Sequence, residues 1–375
     1  SINPSINLLA IDPATCFDPI PRSGPFLPHP RFRANPPMRK SKGLSGNAPL
    51  PSSCCDPRHP APADWTLARR SFLQAGCASL AAASIPSGLF AAPSPKSTAE
   101  TVVAELYASL TDAQKKEICH DFADPKRDRV NANWHVTKPL IDNEFYSDTQ
   151  RAMIEKIVRN VTSEEGFKRL TDQMEYDDGG LGAYSIALFG KPGEGSFEWM
   201  LTGRHLTLRA DGNTLDKQAF GGPIVYGHGM EGEPKDNIFF YQTQVVNELF
   251  KALDPAQAAK ALLDKAPAEN AVTPQGAKGT FPGLAVAEMT ADQKGLVDKT
   301  LKTILGPYRS EDADESLDII KAGGGVDALR FAFYKQGDMQ NDQVWDIWRI
   351  EGPNSVCHFR GAPHVHAYIH IAEVG

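Results

Sequence analysis

The sequence predicts an α+β fold, and three observations predict it. Amphipathic helical periodicity comes in long runs, short alternating segments cluster in two blocks at about 182–210 and 326–373, and short turns join consecutive strands within each block. Helices in runs between strand blocks do not suit a parallel sheet, where strand and helix alternate. The expected architecture is an antiparallel sheet built from both blocks, with amphipathic helices packed on it.

In chain order, residues 1–66 come first and hold 14 of the 29 prolines, few paired apolar positions and no periodicity. They are expected to be disordered. Met38, followed by Arg39, Lys40 and Lys42, reads as a natural start with a basic flank. The stretch ahead of it then reads as over-extension, or alternatively as a proline-rich arm. Residues 67–92 look like a twin-arginine export signal. Arg69-Arg70-Ser71-Phe72-Leu73 precedes an alanine-rich run broken by Ser79, Ser84, Pro86 and Gly88, too weakly apolar to span a membrane. Such signals export folded proteins, so the expected location is periplasmic. The expected export partners are the twin-arginine translocase and a signal peptidase. Residues 93–375 are expected to form one mixed domain.

Nine of the 39 basic and four of the 46 acidic residues precede Ala92, so the remainder carries a net charge of roughly −12. That balance argues against nucleic acid or an anionic membrane as partner, and no later segment reaches spanning length. A small-molecule ligand is compatible with it. Cys119 and Cys357 are the cysteines beyond the signal; an oxidising compartment permits a disulfide between them without requiring one.

Four short patterns open helices: Thr111-Asp112-Ala113-Gln114, Ser147-Asp148-Thr149-Gln150, Asp254-Pro255-Ala256-Gln257 and Thr290-Ala291-Asp292-Gln293. Each has an oxygen side chain that caps free amides and a glutamine that reaches back. The irregular intervals between them argue against a repeat architecture. Helices are expected after each box, over about Ser163–Met174, over Phe239–Leu253, and briefly around Leu317–Ile320. Strands are expected at 182–190, 197–201, 206–209, 329–334, 344–350, 355–360 and 364–371. Glycine runs at 190–193 and 323–325 read as turns.

The last strand carries the chemistry. His364, His366, Tyr368 and His370 alternate with Val365, Ala367, Ile369 and Ile371, so the imidazoles share one face and the apolar set the other. His-x-His on a strand brings two ring nitrogens within chelating reach of a divalent metal. His205, in Gly203-Arg204-His205-Leu206, is the first choice for a third ligand, with His370 and His358 as local alternatives. His228, between Gly227 and Gly229, reads as a loop residue. A three-histidine site with an open position suits zinc or copper, bound for itself or activating a water. The bland alternative is a solvated sheet face, or histidines hydrogen-bonded to carboxylates.

These residues resemble a family. Tyr184 to Gly190 with Pro192, Trp199, Gly203-Arg204-His205-Leu206-Thr207-Leu208, Pro282-Gly283-Leu284, Trp348-Arg349-Ile350-Glu351-Gly352-Pro353 and His364-Val365-His366 are similar to the uncharacterised bacterial domain-of-unknown-function family numbered thirty-five hundred. The resemblance runs from about Thr98 to the C-terminus and implies a domain extent and a histidine pairing, not a reaction. Where family members commonly read Gly-His-His-Leu, this chain has Arg204.

A metal-dependent enzyme would use His205, His364 and His366, with Glu198, Glu351 or Asp346 as candidate general bases and Arg204 stabilising negative charge. Metal-assisted hydrolysis or oxidation is the expected chemistry. No Gly-x-Ser-x-Gly elbow or His-Glu-x-x-His helix is present. The alternatives are a non-catalytic periplasmic ligand- or metal-binding protein, and a structural domain whose Trp199, Trp345 and Trp348 fill a core.

Overall fold

The computed structural model describes residues 92–374 other than 231, 233 and 339. The twin-arginine pattern, Met38 and the cysteines at 16, 54, 55 and 77 lie outside the described residues.

The chain first runs through helices α1 (Thr98–Ser109) and α2 (Asp112–Ile118), a two-residue strand β1 (Cys119–His120), and helices α3 (Asp148–Asn160) and α4 (Glu164–Asp178). Strands β2 (Ser185–Gly190), β3 (Phe197–Gly203), β4 (Leu206–Ala210) and β5 (Ile224–His228) follow. It then makes a second pass: α5 (Phe240–Lys251), α6 (Pro255–Ala261), β6 (Leu262–Leu263), an extra strand β7 (Leu284–Ala285), α7 (Ala291–Leu305) and α8 (Ser310–Ala322). Strands β8 (Arg330–Tyr334), β9 (Ile347–Gly352), β10 (Ser355–Arg360) and β11 (Val365–Ile371) close it. The fold is α+β, with a mostly antiparallel open sheet.

All four boxes form. Thr111, Ser147, Asp254 and Thr290 each accept from the amide three residues on, and the glutamine there reaches back to the cap amide. Each such cap is worth about 1 kcal/mol. The boxes also pair, and identically. Gln114 donates to Gln150 and to the Phe145 carbonyl, while Gln150 donates to the Ser109 carbonyl. Gln257 donates to Gln293 and to the Glu288 carbonyl, while Gln293 donates to the Ala252 carbonyl. The sequence separations are 31, 36 and 41 in both sets.

The sheet repeats the message. Its order, β1-β2-β3-β4-β5-β11-β10-β9-β8-β6, puts corresponding strands of the two passes equally far from the centre. The outermost pairs, β1 with β2 and β6 with β8, are parallel, and the inner pairs are antiparallel. At the centre, Val365 pairs with His228 and Tyr368 with Val225. A second crossing point joins Val161–Ser163 to Pro307–Arg309, where the Ser163 amide donates to the Pro307 carbonyl and the Arg309 amide to the Val161 carbonyl. The described residues therefore form a topological two-fold built from two copies of one unit. The irregular box intervals, which argue against a repeat, arise because each unit carries two boxes.

The two faces of the sheet are covered differently. On one, alternate strand residues such as Trp199, Leu208, Trp348, Phe359 and Ile369 pack with helix residues including Val103, Ile157, Val246 and Ile304 into the main core. Val365, Ala367, Ile369 and Ile371 belong to it, as alternation requires. The other face is roofed by chain without long elements. Ala132 and Val272 pack over Val225, Val356 and Tyr368, while Trp134 and Val136 pack over Ala187, Phe189 and Met200. The histidine face of β11 is thus partly covered: Tyr368 is buried, and His364, His366 and His370 are half-buried. Trp345 precedes β9 instead of lying within it, so it and Trp348 both enter the main core. Cys119 and Cys357 are both free thiols.

Candidate metal centre

His205 sits in the two-residue loop joining β3 to β4, between the paired residues Gly203 and Leu206. Its backbone is left-handed, with φ 56°, unusual for a residue with a Cβ. Its amide donates to the Ala132 carbonyl at 2.6 Å, tying the loop to the roof of the second face. Gly227 on β5 allows the approach, since a Cβ there would meet the Val365 carbonyl at 2.3 Å and His205 Cβ at 3.1 Å. His366 pairs with Gly227 at the start of β11, and His364 lies two residues earlier. The ends of β4, β5 and β11 meet at this point.

The ring centroids of His205 and His364 are 5.2 Å apart, those of His205 and His366 4.9 Å, and those of His364 and His366 4.7 Å. One ligand nitrogen from each ring falls within 4.8 Å of the others, so the group could hold a metal ion. A tetrahedral ion about 2.0–2.1 Å from each nitrogen would separate them by roughly 3.3 Å.

Two carboxylates fix two of these rings. His205 Nδ1 lies 2.8 Å from Asp177 Oδ2, and His366 Nδ1 lies 2.9 Å from Glu269 Oε1. A carboxylate only accepts, so both Nδ1 atoms donate, and in a neutral ring Nε2 is then the nitrogen that presents a lone pair. Burial by itself would raise the Asp177 pKa; hydrogen bonds from His205, Gln173 and the Gly229 amide overcome that and hold it low. Burial likewise works against Glu269, yet His366, Arg360 and Tyr368 bring it down to about 2. Burial, then the neighbouring His366 and Arg360, push His364 down to about 4, keeping it neutral. Its Nε2 lies 3.0 Å from His366 Nε2. Carboxylate–histidine pairs aimed at a common point are the arrangement that orients imidazoles for a metal.

The remaining sequence candidates lie elsewhere. His370 shares the β11 face but donates from Nδ1 to the Val272 carbonyl at 3.1 Å, outside the group of three. Four residues, about 13 Å along the strand, separate it from His366, too far for one ion. His358 is buried among neighbours of Arg349 and pushed down to about 3 by burial and that cation. His228 ends strand β5 rather than lying in a loop, and its ring lies 4.7 Å from that of Tyr176. Glu198 is paired with Arg209 and Arg127, and Glu351 with Arg349. Asp346, like them, is outside the histidine group.

Asp177 and Glu269, the carboxylates that matter, escape sequence reasoning. Asp177 is one of several acids in the last turn of α4, and Glu269 lies between short elements without a motif.

The second copy of the unit supplies an internal comparison. Its β9–β10 loop is Pro353–Asn354, between paired Gly352 and Ser355, so Asn354 stands where His205 does. The fold is built at that position without one imidazole. An imidazole at the His205 position is thus not a requirement of the scaffold.

The chain matches the DUF3500 family, described as a protein of unknown function, over residues 93–372. It belongs to that family. No curated protein and no solved structure matches it. The DUF3500 span contains all three histidines and both orienting carboxylates. Among the described residues, no helix is long and apolar enough to cross a membrane.

Proposed function

We propose that this DUF3500 protein is an exported metalloprotein in which His205, His364 and His366 hold one divalent ion, zinc or copper, and leave a coordination position open. The observation that carries the reading is the double carboxylate–histidine arrangement: Asp177 and Glu269 leave the Nε2 atoms of His205 and His366 as the lone-pair nitrogens. Neutral imidazole donors suit zinc and copper over magnesium or calcium. Either ion would supply Lewis acidity to a ligand in the open position, as metal-assisted hydrolysis needs, and copper alone could also change oxidation state, as oxidation needs.

Export rests on Arg69-Arg70 and the apolar run behind it, and a folded metal site is cargo that a twin-arginine route suits. Replacing both arginines by lysine should leave the protein in the cytoplasmic fraction. Export unaffected by that change overturns this half of the reading.

A second reading, ligand or metal binding without turnover, is favoured by one observation. Asp177 and Glu269 are both committed to Nδ1 protons, so neither is placed to act as a general base. Elemental analysis of natively exported protein tests the centre itself: near-stoichiometric zinc or copper, lost in His366→Ala, is expected. Sub-stoichiometric mixed metals unchanged in His366→Ala would overturn it. Turnover across a substrate panel, lost in the same variant, separates enzyme from binding protein.

A further inference from the structure

We infer that the open face of the histidine centre receives an oxyanion of the substrate, a carboxylate or phosphoryl group, gripped by Arg360 and flanked by Arg204. The inference rests on the metal reading above and adds the substrate class.

Arg360 Nη2 lies 3.3 Å from His364 Nε2, the nitrogen turned towards His366 Nε2. An ion bonded to His364 Nε2 at about 2.0–2.1 Å therefore has a guanidinium within roughly 5 Å. Two cations this close, in a half-buried place, repel strongly unless an anion lies between them. An oxygen bonded to the ion at about 2.1 Å and accepting from a guanidinium at about 2.8 Å spans that separation.

Arg204 adds a second guanidinium from the loop that carries His205. Its Nη2 is 3.1 Å from the point where a Gly229 Cβ would stand, and His205 Cε1 is 3.2 Å from the same point. The local charges do not close. Asp177 and Glu269 balance the two arginines, Glu269 directly through Arg360 Nε at 3.4 Å, and leave the charge of the ion uncompensated. A planar guanidinium fork beside an ion matches two oxygens of one oxyanion, one on each cation.

The competing account makes Arg360 a purely structural partner of Glu269 and His364. Exported protein reconstituted with cobalt(II) distinguishes the two through its visible bands, without any turnover assay. Titration with inorganic phosphate and with acetate is expected to change those bands saturably, whereas neutral acetamide leaves them unchanged. Tighter phosphate binding assigns a phosphoryl group, and tighter acetate binding a carboxylate. Arg360→Met should keep one cobalt per chain and weaken the preferred anion at least about tenfold, with Arg360→Lys in between. Three results overturn the inference while leaving the metal centre standing: no anion-dependent change, unaltered anion affinity in Arg360→Met, or loss of cobalt in Arg360→Met with metal retained in the parent. Failure of the parent to take up cobalt overturns the metal reading, and this inference with it.

Discussion

Asp177 Oδ2 lies 2.8 Å from His205 Nδ1, joining the last turn of α4 to the β3–β4 loop across the end of the sheet. The same carboxylate accepts from Gln173 Nε2 at 2.7 Å and from the Gly229 amide at 2.7 Å. It is therefore held by a helix and by the chain leaving β5 while it orients a ring on a third element. Asp177→Asn keeps the volume but can offer an amide hydrogen where His205 needs an acceptor. Metal affinity is expected to fall about 10- to 100-fold, as for other outer-shell carboxylates. Competition against a chromophoric chelator measures it, and unchanged affinity would show that His205 needs no orienting partner.

His205 itself combines a functional side chain with an unfavourable backbone, φ 56°. A left-handed residue with a Cβ costs about 1–2 kcal/mol relative to glycine. His205→Gly and His205→Ala both remove the imidazole and should both abolish metal binding. Metal-free His205→Gly should nevertheless melt about 2–4 °C above His205→Ala, the shift that about 1 kcal/mol gives at this size. Calorimetry on the two metal-free variants decides it. An alanine variant as stable as the glycine one would mean that the loop relaxes and stores no strain.

Much of this fold is written locally. The four boxes identify α2, α3, α6 and α7 because capping is decided by residues three apart. The alternation in 364–371 places His366 and the apolar set on opposite faces because strand geometry has a period of two. What escaped was non-local. Strand β5 lies among Gly221, Gly222, Gly227 and Gly229 and reads as loop; β4 and β11 on either side make it a strand. Helix α8, expected around Leu317–Ile320, runs over Ser310–Ala322 because its buried charged residues conceal the apolar stripe. The partnership of Asp177 with His205 and Glu269 with His366 depends on tertiary folding, which no spacing encodes.

A buried charge cluster away from the histidines sets a pH dependence. Arg309 donates to Glu100 at 2.7 Å and to Asp312 at 2.9 Å, and Asp211 and Glu315 lie close enough to interact with them. Burial, then repulsion from Asp312 and Asp211, push Glu315 up to about 8. In the unfolded chain a glutamate ionises near about 4.3. Between those values Glu315 keeps a proton in the folded protein that the unfolded chain has released, so its contribution to stability is full at low pH, falls as pH rises through the window, and levels off above it. Glu315→Gln should flatten that decline. Urea unfolding at intervals from pH 5 to 8.5 measures it, and a variant with the parental slope would remove Glu315 as the cause.

Two glycines at opposite ends of the packing scale test the two-copy architecture. Gly166 lies where the units cross, and a Cβ there would fall 1.8 Å from the Pro307 carbonyl oxygen. Gly166→Ala must push Val161–Ser163 away from Pro307–Arg309, and a loss of about 1–3 kcal/mol is expected. Gly295 occupies the fifth position of α7, exposed, with nothing within 4 Å of its Cβ direction, and the fifth position of α3 is Ala152. Gly295→Ala should therefore stabilise by about 0.5–1 kcal/mol, the helix-interior difference between the two residues. The same chemical change thus carries opposite signs at the two sites, read as opposite shifts in the urea midpoint. A Gly166→Ala protein as stable as the parent would show that the crossing between the units is not the close backbone contact described.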